Sequence, residues 1–338
     1  MELASFLRFL IAGKLQRDFI LPVNGRPALD VAGGSLLYAA YGLQLWDKNI
    51  GLIARVGEDF PHEWLEQLAL DGFDRRGIRI LPKAVDLRFF AAYPDAETRL
   101  TSNPVAHFAR HGIPYPKSLL GYAEPEPAPD HRRNPTDLTI RTTDFPADYL
   151  DATAAHIAPL DYLSHDLLPP ALRQGRVTTI TLDPGAGYMS PLFWDDFPGL
   201  LRGITALLCS EEKLQSLFHA RSVDLWEMAE AIAGWGCEIV VIKRGVHGQW
   251  VYDHHHHARW IIPAYPAKVI DPTGAGDAFC GGFLAGFRET YDPLEAALRG
   301  NISASVAVEG CTPFYLKDVL PSLVNLRLEA LRPLVRRL

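Results

Sequence analysis

The chain has 338 residues, 48% of them hydrophobic and 22% charged, which supplies enough apolar material for a two-sided sheet and excludes disorder of the whole chain. That length fits one main α/β domain with a small lid. A net charge of −7, with both signs interspersed and no Lys/Arg run, argues against a polyanion-binding face, so no nucleic acid partner is expected.

In chain order, the apolar start up to Gly13 reads as a first buried strand. It lacks the basic opening of a secretory signal, and Arg8 interrupts its apolar run. Asn24-Gly25, set between apolar runs, predicts a tight turn and a hairpin leaving the main sheet. Gly33-Gly34 opens a small-residue stretch to Gly42, followed by a strand at Ile50–Val56 and a helix near Pro61–Leu70, with Pro61 in its first turn. Leu87–Tyr93 is a further strand, suited to pair with the hairpin as a small separate sheet. Between residues 101 and 136 the prolines Pro104, Pro114, Pro116, Pro125, Pro127, Pro129 and Pro135, and the lack of any period, predict an irregular insertion. From Ala155 onward, short apolar, often β-branched runs recur at Ala155–Pro159, Val177–Leu182, Ile204–Leu208 and Glu238–Lys243. Helix-length spacers separate them, as in parallel strands covered on both faces. Cys209, Cys237, Cys280 and Cys311 lie far apart without C-x-x-C spacing, which predicts reduced thiols, no structural zinc and a cytoplasmic chain. No segment reaches about 18 uninterrupted apolar residues, so no membrane span is expected.

Chemistry concentrates in Asp271-Pro-Thr-Gly-Ala-Gly-Asp277. A strand end runs into a glycine turn, and Phe279, Phe283 and Phe287 then recur at four-residue intervals, as one face of a helix. Asp277 falls near that helix's N-terminus. Free backbone N–H groups and the positive end of the dipole favour an anion there, and Gly274 and Gly276 admit a phosphate close to the backbone. The same dipole predicts a lowered pKa for Asp277.

This string, followed by Ala-Phe-Cys-Gly-Gly-Phe, resembles the C-terminal signature of the ribokinase-like (PfkB) carbohydrate kinases. The resemblance implies a three-layer αβα domain with a mainly parallel sheet and a small β lid, spanning the chain, with lid segments near 14–32 and 85–100 and strand C-terminal ends facing the active site. It implies transfer of the γ-phosphoryl group of ATP to a hydroxyl of a small sugar-like substrate. Gly274, Ala275 and Gly276 would form the anion hole and Asp277 would be the base. Further similarity covers Gly33-Gly34 with the small-residue helix after it, and Gly51-Leu-Ile-Ala-Arg-Val-Gly57-Glu-Asp59. It implies that Asp18, Gly33, Gly34 and Tyr38 hold the substrate. Many sugar kinases of the family carry Asn at the place of Tyr38, and the change argues against ribose or fructose; a nucleoside or an inositol is the alternative acceptor. Lys243, Gly245 and Gly248, in Val241-Ile-Lys-Arg-Gly-Val-His-Gly248, resemble the hairpin bordering the nucleotide, with Thr273 and Asn301 in the same set. The family's Asn-x-x-Glu motif, which organises Mg²⁺, is degraded in Cys209-Ser-Glu-Glu-Lys213. The acidic residue is either Glu212, the one favoured here, or is lost to Lys213. Mg²⁺ is implied in both cases, a monovalent cation is compatible with the family, and a homodimer through the lid follows family habit. Loss of catalysis, leaving a nucleotide-binding protein, is the reading of a different class.

Two features suggest less than they might. His254–His257 alternate in direction on an extended segment and predict a solvated hairpin loop, not a metal site. Asp183-Pro-Gly-Ala-Gly187, at a strand end, could touch nucleotide or substrate, but Pro-Gly there is first a turn signal, and its Gly-Ala-Gly lacks the following Asp. No Walker or zincin string occurs.

Overall fold

The computed structural model describes residues 7–124 and 129–338. The first six residues of the apolar start, and Pro125 and Pro127 of the insertion, lie outside the described residues. The strands are β1 (Phe9–Ala12), β2 (Gln16–Leu21), β3 (Ala28–Gly33), β4 (Ile50–Gly57), β5 (Asp74–Leu81), β6 (Arg88–Ala92), β7 (Ala154–Ile157), β8 (Thr179–Leu182), β9 (Ala206–Ser210), β10 (Ile239–Lys243), β11 (Gln249–Asp253), β12 (Ala258–Ile262) and β13 (Arg336–Arg337).

Ten of them form one sheet in the order β13-β12-β11-β10-β9-β8-β7-β1-β4-β5. From β10 to β5 every pairing is parallel, and β11 to β13 extend the sheet antiparallel. The alternation of β1 shows why both faces are buried: Leu10 and Ala12 pack into one core, Phe9 and Ile11 into the other. The chain leaves β1 for β4 on one side and returns through β7 on the other, so the sheet has a topological switch point at β1. Open α/β sheets bind ligands at that point, beyond the strand C-termini. β5, unanticipated, is an edge strand whose Arg75, Arg76 and Arg79 hide its period while blunting its exposed side.

The second sheet, in the order β3-β2-β6, is the small lid. The β2–β3 pairing shifts between Asp18 and Phe19. The unpaired residue is Asp30, held at φ 56, and its carboxylate receives two hydrogen bonds from Arg17 at 2.9 and 2.8 Å. Such bulges re-aim neighbouring side chains. One lid face, with Phe19, Leu21, Phe90 and Ala92, is covered by Phe108 and Leu119 from the insertion. The insertion is therefore less irregular than the prolines suggested: Pro104–Arg110 is a helix, with Pro104 at its start and Asn103 accepting from Ala106 N. Pro is tolerated in a first helical turn, and this one is a start signal that was mistaken for a breaker.

His254–His257 form the exposed turn between β11 and β12. Among the described residues no group of three or more His, Cys, Asp or Glu could hold a metal ion, and no helix is long and apolar enough to cross a membrane.

Candidate active site

An open cavity of about 1200 Å³ lies over the C-terminal ends of β1, β7, β8, β9 and β10 and under the lid. Its lining includes Asp18, Gly34, Tyr38, Glu212, Lys243, Gly245, Thr273, Gly274, Gly276 and Asp277. The volume exceeds that of a typical single-ligand pocket and suits two substrates side by side.

The helix Ala275–Thr290 begins at Gly274 and carries Asp277 in its first turn. Phe279, Phe283 and Phe287 stack along its buried face with centroids 6.2 and 6.1 Å apart, anchoring the helix beneath the cavity. Gly274 has φ +71, and a Cβ there would stand 2.0 Å from Tyr38 Cγ. The Tyr38 ring thus packs directly on Gly274, the first residue of the expected anion hole. Burial, followed by Asp271 and Asp18, pushes its phenol well up, so it stays neutral.

The expected lowering of the Asp277 pKa is corrected by its surroundings. Burial, and then the negative charge of Asp183, raise this carboxyl to about 6 against the pull of Lys243, Lys213 and Arg99. Desolvation outweighs the helix end, and the group is better placed as a base near neutral pH.

Asp183, which the sequence offers first as a turn residue at a strand end, stands immediately after β8 at the mouth of the open parallel sheet and is part of the site. It is 2% exposed. Its two oxygens hold Lys213 at 2.8 Å and Lys243 at 2.5 Å. Burial alone would raise its pKa; the two ammonium groups outweigh that and hold it at about 2. Lys243 Nζ also lies 3.3 Å from Gly276 O. A buried carboxylate thus tethers two cations on the cavity floor beside the anion hole. Lys213 therefore enters the site in its own right. Glu212, the favoured metal residue, also lines the cavity from the first turn of the helix Glu211–Leu217, while Glu211 pairs with Arg244 at 2.7 Å. Arg99, from the loop after β6, adds a further cation at the rim.

Asp18 is 2% exposed, and its Oδ1 has no hydrogen-bond partner. A Cβ on Gly33 would come within 1.8 Å of Asp18 Oδ2, so only glycine leaves room for the carboxyl. Burial, then Asp271, raise its pKa to about 8, with the Gly34 N–H opposing. A carboxyl raised on folding binds a proton that the unfolded chain releases, so stability falls as pH rises from about 4 to about 8. Asp18→Asn removes this penalty. Its unfolding free energy, read by denaturant titration, should exceed that of the wild type at pH 9 by on the order of a few kcal/mol and match it at pH 4, while acceptor turnover falls. A difference independent of pH would refute the assignment.

Two expected nucleotide residues stand apart. Asn301 is 4% exposed and its amide is already spent: it donates to Gln249 Oε1 at 3.0 Å and Pro263 O at 2.8 Å, and accepts from Tyr265 N at 3.0 Å. It holds the chain after β12 and is not presented to the cavity. Gly248 is a turn residue at φ +80, ahead of β11. The Thr273 hydroxyl donates to Tyr93 Oη at 3.0 Å, and Asn24 N donates to Ile270 O at 3.4 Å. The lid is thereby latched to the motif loop.

Known proteins share this sequence and architecture. The pattern of the pfkB family carbohydrate kinases matches residues 172–311. The chain is 28% identical over 299 residues to the cytidine kinase of Thermococcus kodakarensis, covering 87% of this chain and 92% of that one. It superposes with a TM-score of 0.70, at 18% identity, on a candidate ribokinase II from E. coli solved with ATP and Mg²⁺, over 96% of this chain and 99% of that one. A nucleoside kinase of Burkholderia thailandensis in complex with inosine gives a TM-score of 0.67 at 21% identity, over 96% and 98% of the two chains.

Proposed function

The chain belongs to the PfkB family of ribokinase-like kinases and is a phosphotransferase with an alcohol acceptor; from that premise we propose that it transfers the γ-phosphoryl group of ATP to a hydroxyl of a nucleoside. The observation that carries this is the pairing of Asp277, a carboxyl raised to about 6, with two lysines tethered by Asp183 on the same cavity floor.

Asp277 accepts the proton of the attacking hydroxyl as the oxygen–phosphorus bond forms. The backbone N–H groups at Gly274–Gly276 and the ammonium groups of Lys243 and Lys213 face the charge that builds on the transferring group. Mg²⁺, when bound, would neutralise charge on the phosphates, and Glu212, one of the carboxylates lining the cavity, would hold it through water. Asp18 orients the acceptor through its unpartnered oxygen. Asp271 Oδ2, also buried without a partner, is an oxygen open to a monovalent cation. The four free thiols fit a cytoplasmic enzyme. A homodimer would use the lid edges, because one lid face already carries the insertion.

A nucleoside is favoured over an inositol because the rings of Tyr38, Phe89 and Tyr93 line the cavity, and flat aromatic surface suits a base better than a polyol. Likeness to a cytidine kinase and to a nucleoside kinase holding inosine supports the same choice. Purified protein with MgATP and a panel of nucleosides, pentoses, hexoses and inositols tests it by ADP release and product mass. A phosphorylated nucleoside is expected; turnover confined to sugars or inositols would refute the acceptor class.

A further inference from the structure

The second half of the insertion is built into the cavity wall. Arg55, on β4, donates to Asp137 O at 2.9 Å and Thr139 O at 3.1 Å, and pairs with Asp144 at 3.3 Å. At the start of the helix Tyr162–Arg173, Asp161 accepts from the Thr139 hydroxyl, and Ser164 Oγ accepts from Ile140 N at 2.9 Å. Asp130 completes the attachment. Its N–H donates to Gly187 O at 3.0 Å, and its Oδ2 accepts from Tyr162 N at 2.8 Å.

Among the described residues, those bonds leave Asp130 Oδ1 without a hydrogen-bond partner. A Cβ on Gly187 would approach that oxygen to 2.3 Å, so glycine there keeps its surroundings open. Asp130 lines the cavity together with Thr136 and Leu138. It lies within electrostatic reach of the Asp161 carboxylate and, less strongly, of Lys14, whose backbone is bonded to Ser35 and Leu36, beside the expected acceptor residues Gly34 and Tyr38 in the cavity lining. The unspent oxygen therefore belongs to the acceptor half, with an ammonium group nearby.

We propose that Asp130 is a specificity-determining residue of the acceptor site, its free oxygen accepting from an exocyclic amino group on the nucleobase while Lys14 faces the base's carbonyl edge. The inference rests on the nucleoside reading above and narrows it to bases with an amino group and a carbonyl on one ring, cytosine and guanine, of which cytosine is the one probed. A carboxylate reads the cytosine amino group in other contexts by the same geometry.

Steady-state kinetics of the full chain with cytidine and uridine, at saturating MgATP, test it in the wild type, Asp130→Ala and Asp130→Asn. Asp130→Ala should raise KM for cytidine roughly 10–100-fold, the worth of a hydrogen bond to a charged group, with kcat and the KM for ATP near wild type. Asp130→Asn keeps an acceptor for Tyr162 N and so preserves the loop attachment. It should lower the preference for cytidine over uridine, because an amide can donate to the uracil carbonyl. An equal loss for both nucleosides in both variants, or a cytidine KM within twofold of wild type, would overturn the role of Asp130 alone. A wild type that phosphorylates no nucleoside would overturn the nucleoside reading, and this inference with it.

Discussion

Asp277→Asn is expected to lower kcat by about 10²–10⁴-fold, the usual worth of a positioned general base, with ATP affinity little changed. The substitution preserves size and the first turn of the helix Ala275–Thr290, so lost turnover would not reflect a displaced anion hole. The pH profile makes the test sharper. Because burial and Asp183 raise the carboxyl to about 6, wild-type kcat/KM should rise with pH through that value, since the ionised form is the base, and any second inflection near 8 belongs to Asp18. The variant should lose the limb near 6 and keep a low profile. Near-normal turnover in Asp277→Asn, or survival of that limb after the substitution, would remove Asp277 from its role.

Asp183→Ala should be the most damaging change to the folded state. It leaves Lys213 and Lys243, 20% and 12% exposed, facing each other without their shared counter-charge. Breaking a buried ion pair by deleting one partner costs about 3–5 kcal/mol. A fall in the melting temperature of several degrees is expected at neutral pH. With its folded-state pKa at about 2, below the ordinary aspartate value, the group's stabilising contribution is present above about pH 4 and disappears as pH falls through 2. The stability gap between wild type and variant should therefore close in acid. ATP turnover should fall as well, because the two ammonium groups are no longer held beside Gly276. Unchanged melting and unchanged kcat/KM for ATP would show the tether to be incidental. Lys213→Met separates the two effects, since Asp183 then keeps Lys243: the ATP kinetics should weaken with a smaller loss of stability.

The parallel strands were legible because each, from β7 to β10, is a short, mostly apolar run with both faces buried, β-branched in β8 and β10. The lid was legible through Asn24-Gly25 and the Leu87–Tyr93 run. β5 escaped because an edge strand needs no continuous apolar pattern, and the helix Pro104–Arg110 because a proline at its first position was read as an interruption. Within the site, Asp277 and its glycines could be found from one local string. Asp183, Lys213 and Asp130 could not, because each acquires its role from partners 30 or more residues away.

The Asp271–Asp277 string by itself determined where phosphoryl transfer is proposed to occur, since a strand end, a glycine turn and a helix start within seven residues offer an anion a place to sit. The tertiary structure alone decided how basic Asp277 is. The helix end is a local effect that lowers the pKa, whereas the burial and the Asp183 charge that overcome it are assembled from distant segments. The same holds for the acceptor wall. Nothing local in a proline-rich stretch shows that Asp130 will dock against Gly187 and the start of the helix Tyr162–Arg173, because that position exists only once β1, β7 and β8 lie side by side.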